Sequence, residues 1–151
     1  MVANGVVLQG VTATMIPEGG FLVGLDLETG DELWRFHSIA RPGEPGGNTW
    51  NNLALEDRSG GSVWVPASYD PELDLAYYGT APTYDTAPLL HSLNKEGVSN
   101  EALYTNATIA LRPKTGELAW FFQHMPNDQR DLDWVFERQI VELGVGGNSR
   151  K

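Results

Sequence analysis

The apolar residues of this chain fall in short runs that glycine and proline separate. The 151 residues include 17 glycines and 9 prolines, and the runs between them are rich in valine, tyrosine, tryptophan and phenylalanine, a pattern typical of short strands joined by turns. No segment keeps an apolar period of 3.6 residues over three turns, so the pattern predicts little helix and an all-β fold. The predicted strands are Val6–Met15, Phe21–Asp26, Glu32–His37, Ser62–Tyr69, Leu75–Gly79, Tyr104–Leu111, Glu117–Gln123 and Trp134–Glu142.

Two long stretches, residues 40–61 and 80–101, lack the strand pattern. The first contains a run rich in proline and glycine over residues 41–47. Loops longer than about 12–15 residues are uncommon in compact domains and are usually either functional or disordered. Two interpretations therefore stay open for each stretch: a mobile surface loop, or a loop that builds part of a functional site.

The composition is that of an acidic globular protein. There are 20 acidic and 10 basic side chains, giving a net charge of −10; this argues against nucleic acid as a partner, because phosphate binding needs a concentrated basic face. The absence of cysteine excludes disulfides, thiolate zinc sites and covalent attachment of a c-type haem within these residues. No apolar run approaches the roughly 20 residues of a transmembrane helix, and no cation precedes Arg35, so no signal peptide is predicted.

An eleven-residue pattern occurs twice, over residues 24–34 and 110–120. Each copy has the end of a strand, a Thr-Gly turn, and a tryptophan four residues after the glycine. The two copies are separated by close to two propeller-blade lengths of about 40–45 residues, and a partial echo lies between them at residues 69–79. Glycine supplies the positive φ that a tight hairpin turn requires, so the repeat predicts two equivalent hairpins, each with a tryptophan available for packing between sheets.

This repeat resembles the tryptophan-docking motif of the quinoprotein alcohol dehydrogenases, which are eight-bladed β-propellers that bind pyrroloquinoline quinone (PQQ). The first copy has Gly24 where the motif has alanine, and the second has Arg112 where it has aspartate. The resemblance extends from about Glu18 to Leu143. Its most specific stretches are Gly60-Gly61-Ser62-Val63-Trp64, Tyr69-Asp70-Pro71-Glu72-Leu73-Asp74-Leu75 and Tyr77-Tyr78-Gly79.

The resemblance implies that residues 1–151 form a partial β-propeller of about three blades of four-stranded antiparallel sheets, an incomplete part of a larger domain. A propeller needs four to eight blades to close. The remaining blades, or another chain, are therefore expected to complete the ring.

In this family, the tryptophan after the glycine pair forms the floor on which the flat PQQ ring stacks, and Trp64 is the matching position. An indole offers the broad apolar face that a tricyclic quinone requires. The alternative is a tryptophan buried in the core between two blades.

The segment from Met125 to Trp134 resembles the family segment that ends in the catalytic aspartate, which falls at Asp131. The resemblance implies that Asp131 is the general base that removes the hydroxyl proton of an alcohol while PQQ accepts a hydride, and that it also contacts the bound cation. Asp133 resembles the extra metal ligand of lanthanide-dependent methanol dehydrogenases, although oxygen ligands suit calcium equally. The alternative is a solvated acidic loop.

Glu18 is the candidate for a metal-binding glutamate found in this neighbourhood of the family, the alternative being an exposed acid in a turn. The chain also departs from the family, because Pro82 stands where the enzymes carry an asparagine that coordinates the cation. Proline has no side-chain oxygen, so either a neighbour such as Tyr84 or Asp85 replaces that ligand or the metal site differs.

The resemblance thus implies an oxidoreductase that oxidises a primary alcohol or a related hydroxyl substrate, with PQQ and a calcium or lanthanide ion as cofactors. A separate electron acceptor, a cytochrome c or a quinone, and a periplasmic location of the full-length protein are expected. No G-x-G-x-x-G fingerprint for a nicotinamide cofactor is present. Two alternatives stay open: a non-catalytic propeller that serves as a protein-binding scaffold, and a calcium-stabilised structural β domain.

Overall fold

The computed structural model describes residues 1–150, which form an all-β fold of two four-stranded antiparallel sheets and a hairpin. Each four-stranded sheet is a simple meander in which consecutive strands are neighbours. The first contains β1 (Val2–Ala3), β2 (Val6–Gly10), β3 (Phe21–Asp26) and β4 (Glu32–His37). The second contains β5 (Ser68–Asp70), β6 (Leu75–Gly79), β7 (Ala107–Leu111) and β8 (Leu118–Gln123), and the hairpin pairs β9 (Leu143–Val145) with β10 (Asn148–Arg150).

In the part of the chain that the structure describes, helix is confined to three 3-10 turns of three residues each, all of them in the two long loops. They cover Gly47–Thr49, Leu55–Asp57 and Ala87–Leu89. No helix among residues 1–150 is long and apolar enough to cross a membrane. The all-β prediction is confirmed. The described residues form two four-stranded sheets rather than the predicted three, together with one two-stranded hairpin.

Two of the predicted strands differ most from the structure. Residues 62–67 form no ladder, and their backbone bonds go to different partners: Val63 N–H donates to Val11 O, just after β2, and the Ser62 carbonyl accepts from Ala81 N–H, just after β6. The prediction of a strand over residues 134–142 is wrong. The carbonyl groups of that segment are satisfied by side chains, since Arg138 donates to Trp134 O at 2.7 Å and the Ser68 hydroxyl donates to Arg138 O.

The core lies between the two sheets and under the long loops. Strand β7 is buried at all five positions and forms the centre of the second sheet's contribution to the core. The loops contribute large apolar side chains of their own, including Trp50, which is 1% exposed. Buried residues from both sheets and both loops therefore form one continuous cluster, and the interpretation of the loops as mobile surface segments is not supported.

The first repeated tryptophan joins the two sheets. The Trp34 indole N–H donates to the Pro113 carbonyl of the second sheet's Thr-Gly turn at 2.8 Å. A Cβ atom built on Gly116 of that turn, or on Gly24 of Trp34's own sheet, would overlap the Trp34 ring. The ring therefore lies between two positions that have no side chain. Its counterpart Trp120 is 44% exposed.

Substituting Gly116 tests this packing, and Gly30 provides a matched control. Both glycines have left-handed φ angles, +70° and +78°, but a Cβ on Gly30 would meet nothing within 4 Å. We expect Gly30→Ala to lower the free energy of unfolding by about 1 kcal/mol, which is the cost of alanine in the left-handed region. Gly116→Ala should cost a further 1–3 kcal/mol, roughly, because the ring must shift. Denaturant unfolding of the two variants measures the difference, and equal losses would contradict the docking role.

The loop of residues 40–61 folds around a buried arginine. Arg58 is 2% exposed, and its guanidinium lies 5.6 Å from the Trp50 ring centre. It donates to the carbonyl groups of Ala40, of Gly47 at 3.0 Å, and of Leu53 at 2.9 and 3.1 Å. One side chain therefore satisfies three backbone carbonyls spread over residues 40–53 of the loop, which have no strand partner.

The two long loops are held to each other by Asn51. Its amide nitrogen donates to Pro88 O at 2.8 Å and to His91 O at 2.9 Å, while its oxygen accepts from Leu93 N–H at 2.9 Å. All of these partners lie in the loop of residues 80–101. The second loop is thus ordered by the first, although the two are far apart in sequence.

Candidate functional site

The segment Gly60–Trp64 runs between the two sheets and is hydrogen-bonded to both. Gly20 N–H, just before β3 of the first sheet, donates to Gly60 O at 2.9 Å. Gly61 N–H donates at 3.0 Å to Pro82 O, which follows β6 of the second sheet. Gly60 has φ +91°, and a Cβ there would overlap the Pro82 carbonyl. The close approach of Pro82 therefore requires the glycine pair. This contact fixes the position of the backbone that leads to Trp64.

Trp64 is 52% exposed, in contrast to the buried Trp50. Its neighbour Val63 is buried, as expected for adjacent residues of an extended segment whose side chains alternate in direction. Trp64 is therefore not part of the core that residues 1–150 form. An indole held on a rigid backbone with a free face is suited to stacking against a flat ring.

The loop that bears Asp131 is organised by the buried carboxylate of Asp128. Asp128 is 2% exposed and accepts hydrogen bonds from the backbone N–H groups of Arg130 at 2.8 Å and Leu132 at 2.5 Å. It also accepts from the Asn106 side chain at 2.9 Å. Asp131 itself has φ +56° and an exposed side chain. The loop thus presents Asp131 outward while its backbone is held from below.

Asp133 lies beside Asp131 in a less solvated position. One of its carboxylate oxygens, Oδ1, is buried and has no hydrogen-bond partner. Burial raises the pKa of the Asp133 carboxyl above its ordinary value, and the negative charges of Asp131 and Asp128 raise it further. A nearby cation would reverse this unfavourable electrostatic setting.

Pro82 has no side-chain oxygen to offer a cation, and Tyr84 is a neighbouring residue that interacts with the acid pair. Burial raises the pKa of the Tyr84 hydroxyl, and the charges of Asp133 and Asp131 add to the effect. Asp85, the other residue considered as a replacement ligand, is exposed and lines a separate hollow with Glu56 and Asp57. Of the two, Tyr84 is therefore the residue placed next to the acid pair.

The backbone after Asp133 is held against the second sheet by an aromatic stack and an arginine. The Trp134 ring lies parallel to the His124 ring at a centroid distance of 4.7 Å. Arg138 donates to the Thr108 hydroxyl at 2.8 and 2.9 Å. Burial lowers the pKa of His124, and the positive charge of Arg138 lowers it further, so the neutral imidazole is the form favoured in the stack. These contacts anchor the C-terminal side of the acid pair.

Glu18 is placed differently from the other two metal candidates. It is exposed, has φ +67°, and its carboxylate forms an ion pair with Arg41 at 3.3 Å. Its backbone N–H donates to Arg58 O at 2.8 Å. Among residues 1–150, no three His, Cys, Asp or Glu side chains are placed to share one metal ion. The structure therefore brings Asp131 and Asp133 together but does not bring Glu18 to them.

A continuous path of hydrogen bonds connects the Trp64 segment with the Asp131 loop. Ala81 N–H donates to Ser62 O at 2.9 Å, and Asn106 N–H donates to Ala81 O at 3.2 Å. The Asn106 side chain then binds Asp128, which holds the loop. Neither Asp128 nor Asn106 is predicted from the sequence. The acidic turn pattern around Asp128 is a signal that could have indicated the first, whereas nothing in the sequence marks the second.

Comparison with known proteins decides the family. The model of the PQQ β-propeller domain of glucose, ethanol and alcohol dehydrogenases matches residues 1–151. The chain belongs to this family. Its propeller fold is shown by its similarity to the structure of quinohemoprotein alcohol dehydrogenase ADHIIG from Pseudomonas putida HK5, with 29% identity and a TM-score of 0.80 over 99% of this chain and 23% of that one. A europium-containing methanol dehydrogenase is 27% identical, with a TM-score of 0.76 over 98% of this chain and 28% of the other.

Sequence relatives of this PQQ-dehydrogenase propeller segment agree with the structural ones. It is 32% identical over 162 residues to quinohemoprotein alcohol dehydrogenase ADH IIB of Pseudomonas putida, which covers 99% of this chain and 23% of the relative. It is 29% identical over 164 residues to the dehydrogenase subunit of alcohol dehydrogenase (quinone) from Komagataeibacter europaeus, covering 99% of this chain and 22% of that subunit. The segment thus spans less than a quarter of the length of these curated relatives, and it is a partial propeller.

Proposed function

We propose that the protein containing this chain is a PQQ-dependent oxidoreductase that oxidises a primary alcohol or a related hydroxyl compound. The observation that carries the proposal is that a path of hydrogen bonds joins the segment that bears the exposed Trp64 to the loop that bears Asp131 and Asp133. Relatives named as quinone and quinohemoprotein alcohol dehydrogenases support the same reaction class.

The residues present fit both cofactors at specific points. The free face of Trp64 fits a stacked PQQ ring. The buried and unpartnered Oδ1 of Asp133, with Asp131 and Tyr84 beside it, fits a cation that binds hard oxygen ligands. When bound, PQQ would be the oxidant, because it would accept the hydride from the alcohol carbon. We propose calcium or a lanthanide as the cation, and the europium-containing relative supports the second choice.

Asp131 is the residue we propose as general base. Its exposed carboxylate is accessible to a substrate and can accept the hydroxyl proton of an alcohol. Asp133, less solvated and next to it, is proposed as a metal ligand rather than a second base, because its buried oxygen requires a positive partner. Glu18 stays a proposed metal ligand, one that would have to exchange its ion pair with Arg41 for the cation.

The remaining proposals concern the whole protein. We propose that electrons pass to a separate cytochrome c or quinone, that the full-length protein is periplasmic, and that further blades or another chain close the ring. A non-catalytic scaffold or a calcium-stabilised structural domain would not need an exposed face on Trp64. This feature favours the enzyme.

Removing the Trp64 indole should weaken PQQ binding. In the intact protein that contains this chain, we expect Trp64→Ala to cost on the order of 1–3 kcal/mol, or about 5–150-fold in Kd, judged from stacking of bases on aromatic side chains. The measurement is a fluorescence titration with PQQ in the presence of calcium or lanthanum. Trp120→Ala is the control, because Trp120 is similarly exposed at 44% but lies on strand β8. Equal Kd values for the parent and Trp64→Ala would contradict the stacking assignment.

A further inference from the structure

Asp128 is charged and yet buried, and its hydrogen bonds explain how it is stable there. Taking a carboxylate out of water is costly unless hydrogen bonds replace its hydration. Oδ1 accepts from Arg130 N–H at 2.8 Å, and Oδ2 accepts from Leu132 N–H at 2.5 Å and from the Asn106 amide at 2.9 Å. Two of these three donors are backbone groups on either side of residue 131.

These two backbone bonds fix the conformation of Asp131. A residue other than glycine pays roughly 1 kcal/mol or more to adopt a left-handed conformation, and Asp131 has φ +56°. Its side chain is exposed and contributes none of the contacts that hold this geometry. Asp128 therefore supplies the restraint, because it holds the amide groups before and after Asp131 on a single carboxylate.

Asn106 in turn fixes Asp128. Asn106 is 0% exposed, with φ +47°, and its side-chain nitrogen donates to Asp128 while its Oδ1 is buried without a partner. Rotating the amide by 180° would place that oxygen against the carboxylate, so only one orientation is acceptable. A buried amide with one unsatisfied group lowers stability. The bond to Asp128 is therefore the favourable interaction that the Asn106 side chain provides.

We propose that Asp128 is a positioning residue, which holds Asp131 in its outward-facing conformation through the Arg130 and Leu132 amides, and that Asn106 holds Asp128. The catalytic meaning of this network rests on the proposed function, since Asp131 is the proposed base. The network itself is independent of any cofactor, because all of its atoms belong to this chain.

The test uses the intact protein and the variant Asp128→Asn, which keeps the size of the side chain but turns one acceptor oxygen into a donor. That donor must face the N–H groups of the loop or of Asn106, so at least one of the bonds is lost. Glu137→Gln is the matched control, because it removes one negative charge from an exposed position in the same segment. Asn106→Ala, which removes the side-chain donor and places alanine at φ +47°, is a second variant in case Asp128→Asn does not fold.

Amide hydrogen exchange over residues 128–134 is the first readout, and kcat and KM of the PQQ-loaded protein are the second. We expect Asp128→Asn to speed exchange at the amides of residues 130 and 132 at least about tenfold, with β7 unchanged. We also expect kcat to fall about 10–100-fold with KM within about twofold, because a small misplacement of a reacting group is costly. Asn106→Ala should give smaller changes in the same direction, and Glu137→Gln should give none.

A charge swap separates positioning from a general loss of stability. In Asn106→Asp combined with Asp128→Asn, the bond between the two side chains can form again with donor and acceptor exchanged, but the group at the Oδ2 position can no longer accept from Leu132 N–H. We therefore expect kcat to return only in part, with exchange protection returning at residue 130 and not at residue 132. Unchanged exchange in Asp128→Asn and Asn106→Ala, or equal effects in Glu137→Gln, would overturn the proposal. If the intact parent oxidises no alcohol, the proposed function fails, while the exchange rates of residues 130 and 132 still decide whether Asp128 positions the loop.

Discussion

Replacing Asp131 with asparagine in the intact protein should lower kcat by roughly 10²–10⁴-fold, the contribution that a positioned general base makes. Asparagine keeps the size and shape of the side chain but accepts no proton at neutral pH. Because Asp131 is exposed and its backbone is held by Asp128 rather than by its own side chain, the substitution should leave the loop in place. PQQ binding, measured by fluorescence titration, should therefore stay within about twofold of the parent.

Asp85→Asn is the control for this experiment. It removes the same charge from an exposed aspartate that lies in a different hollow, beside Glu56 and Asp57, and it should leave kcat unchanged. Full activity in Asp131→Asn would remove the catalytic assignment and restore the interpretation of a solvated acidic loop. A loss of PQQ binding together with activity would instead make Asp131 a binding residue.

The second large effect is expected at Arg58, where the consequence is for stability rather than for turnover. Arg58→Met keeps much of the apolar stem but leaves the carbonyls of Ala40, Gly47 and Leu53 without their donor. Each buried acceptor left unsatisfied costs roughly 1–3 kcal/mol, so we expect the free energy of unfolding to fall by about 3–5 kcal/mol. Urea unfolding of the intact protein, followed by tryptophan fluorescence, measures the change.

Arg35→Met is the matched variant for this prediction. Arg35 is exposed and pairs with Glu32 at 2.8 Å on the surface of β4, where ion pairs contribute little. Its removal should leave the unfolding midpoint nearly unchanged. Similar midpoints for Arg58→Met and Arg35→Met would mean that the loop of residues 40–61 does not depend on its buried guanidinium.

The strands could be predicted where each has a regular partner. Phe21–Asp26, Glu32–His37 and Leu75–Gly79 have the predicted bounds because they lie in continuous ladders between turn residues. The apolar runs at residues 62–67 and 134–142 have the same composition without a ladder. Strand propensity describes a side chain's fit to a pleated surface, and it does not tell whether a neighbouring backbone is present to pair with.

The sequence predicts the proposed site residues but not the residues that support them. Trp64, Asp131 and Asp133 are proposed because their motifs have fixed spacings along the chain. The contacts of Arg58, Asn51 and Asn106 could not, since polar residues in a loop are normally exposed and their partners lie elsewhere in the sequence or on the backbone. The ion pair of Glu18 with Arg41 is a further contact that depends on the packing of the loops.

The glycine at position 24 has a consequence for protein engineering. Substituting residues toward a family consensus is a common route to greater stability, and the docking motif has alanine where this chain has Gly24. Here the Trp34 ring occupies the space that an alanine methyl group would need, so the consensus residue would have to displace the ring from its bond to Pro113. Position 24 and the tryptophan ten residues later therefore form a unit of co-adapted residues, and a stabilised variant of this blade would have to redesign both together.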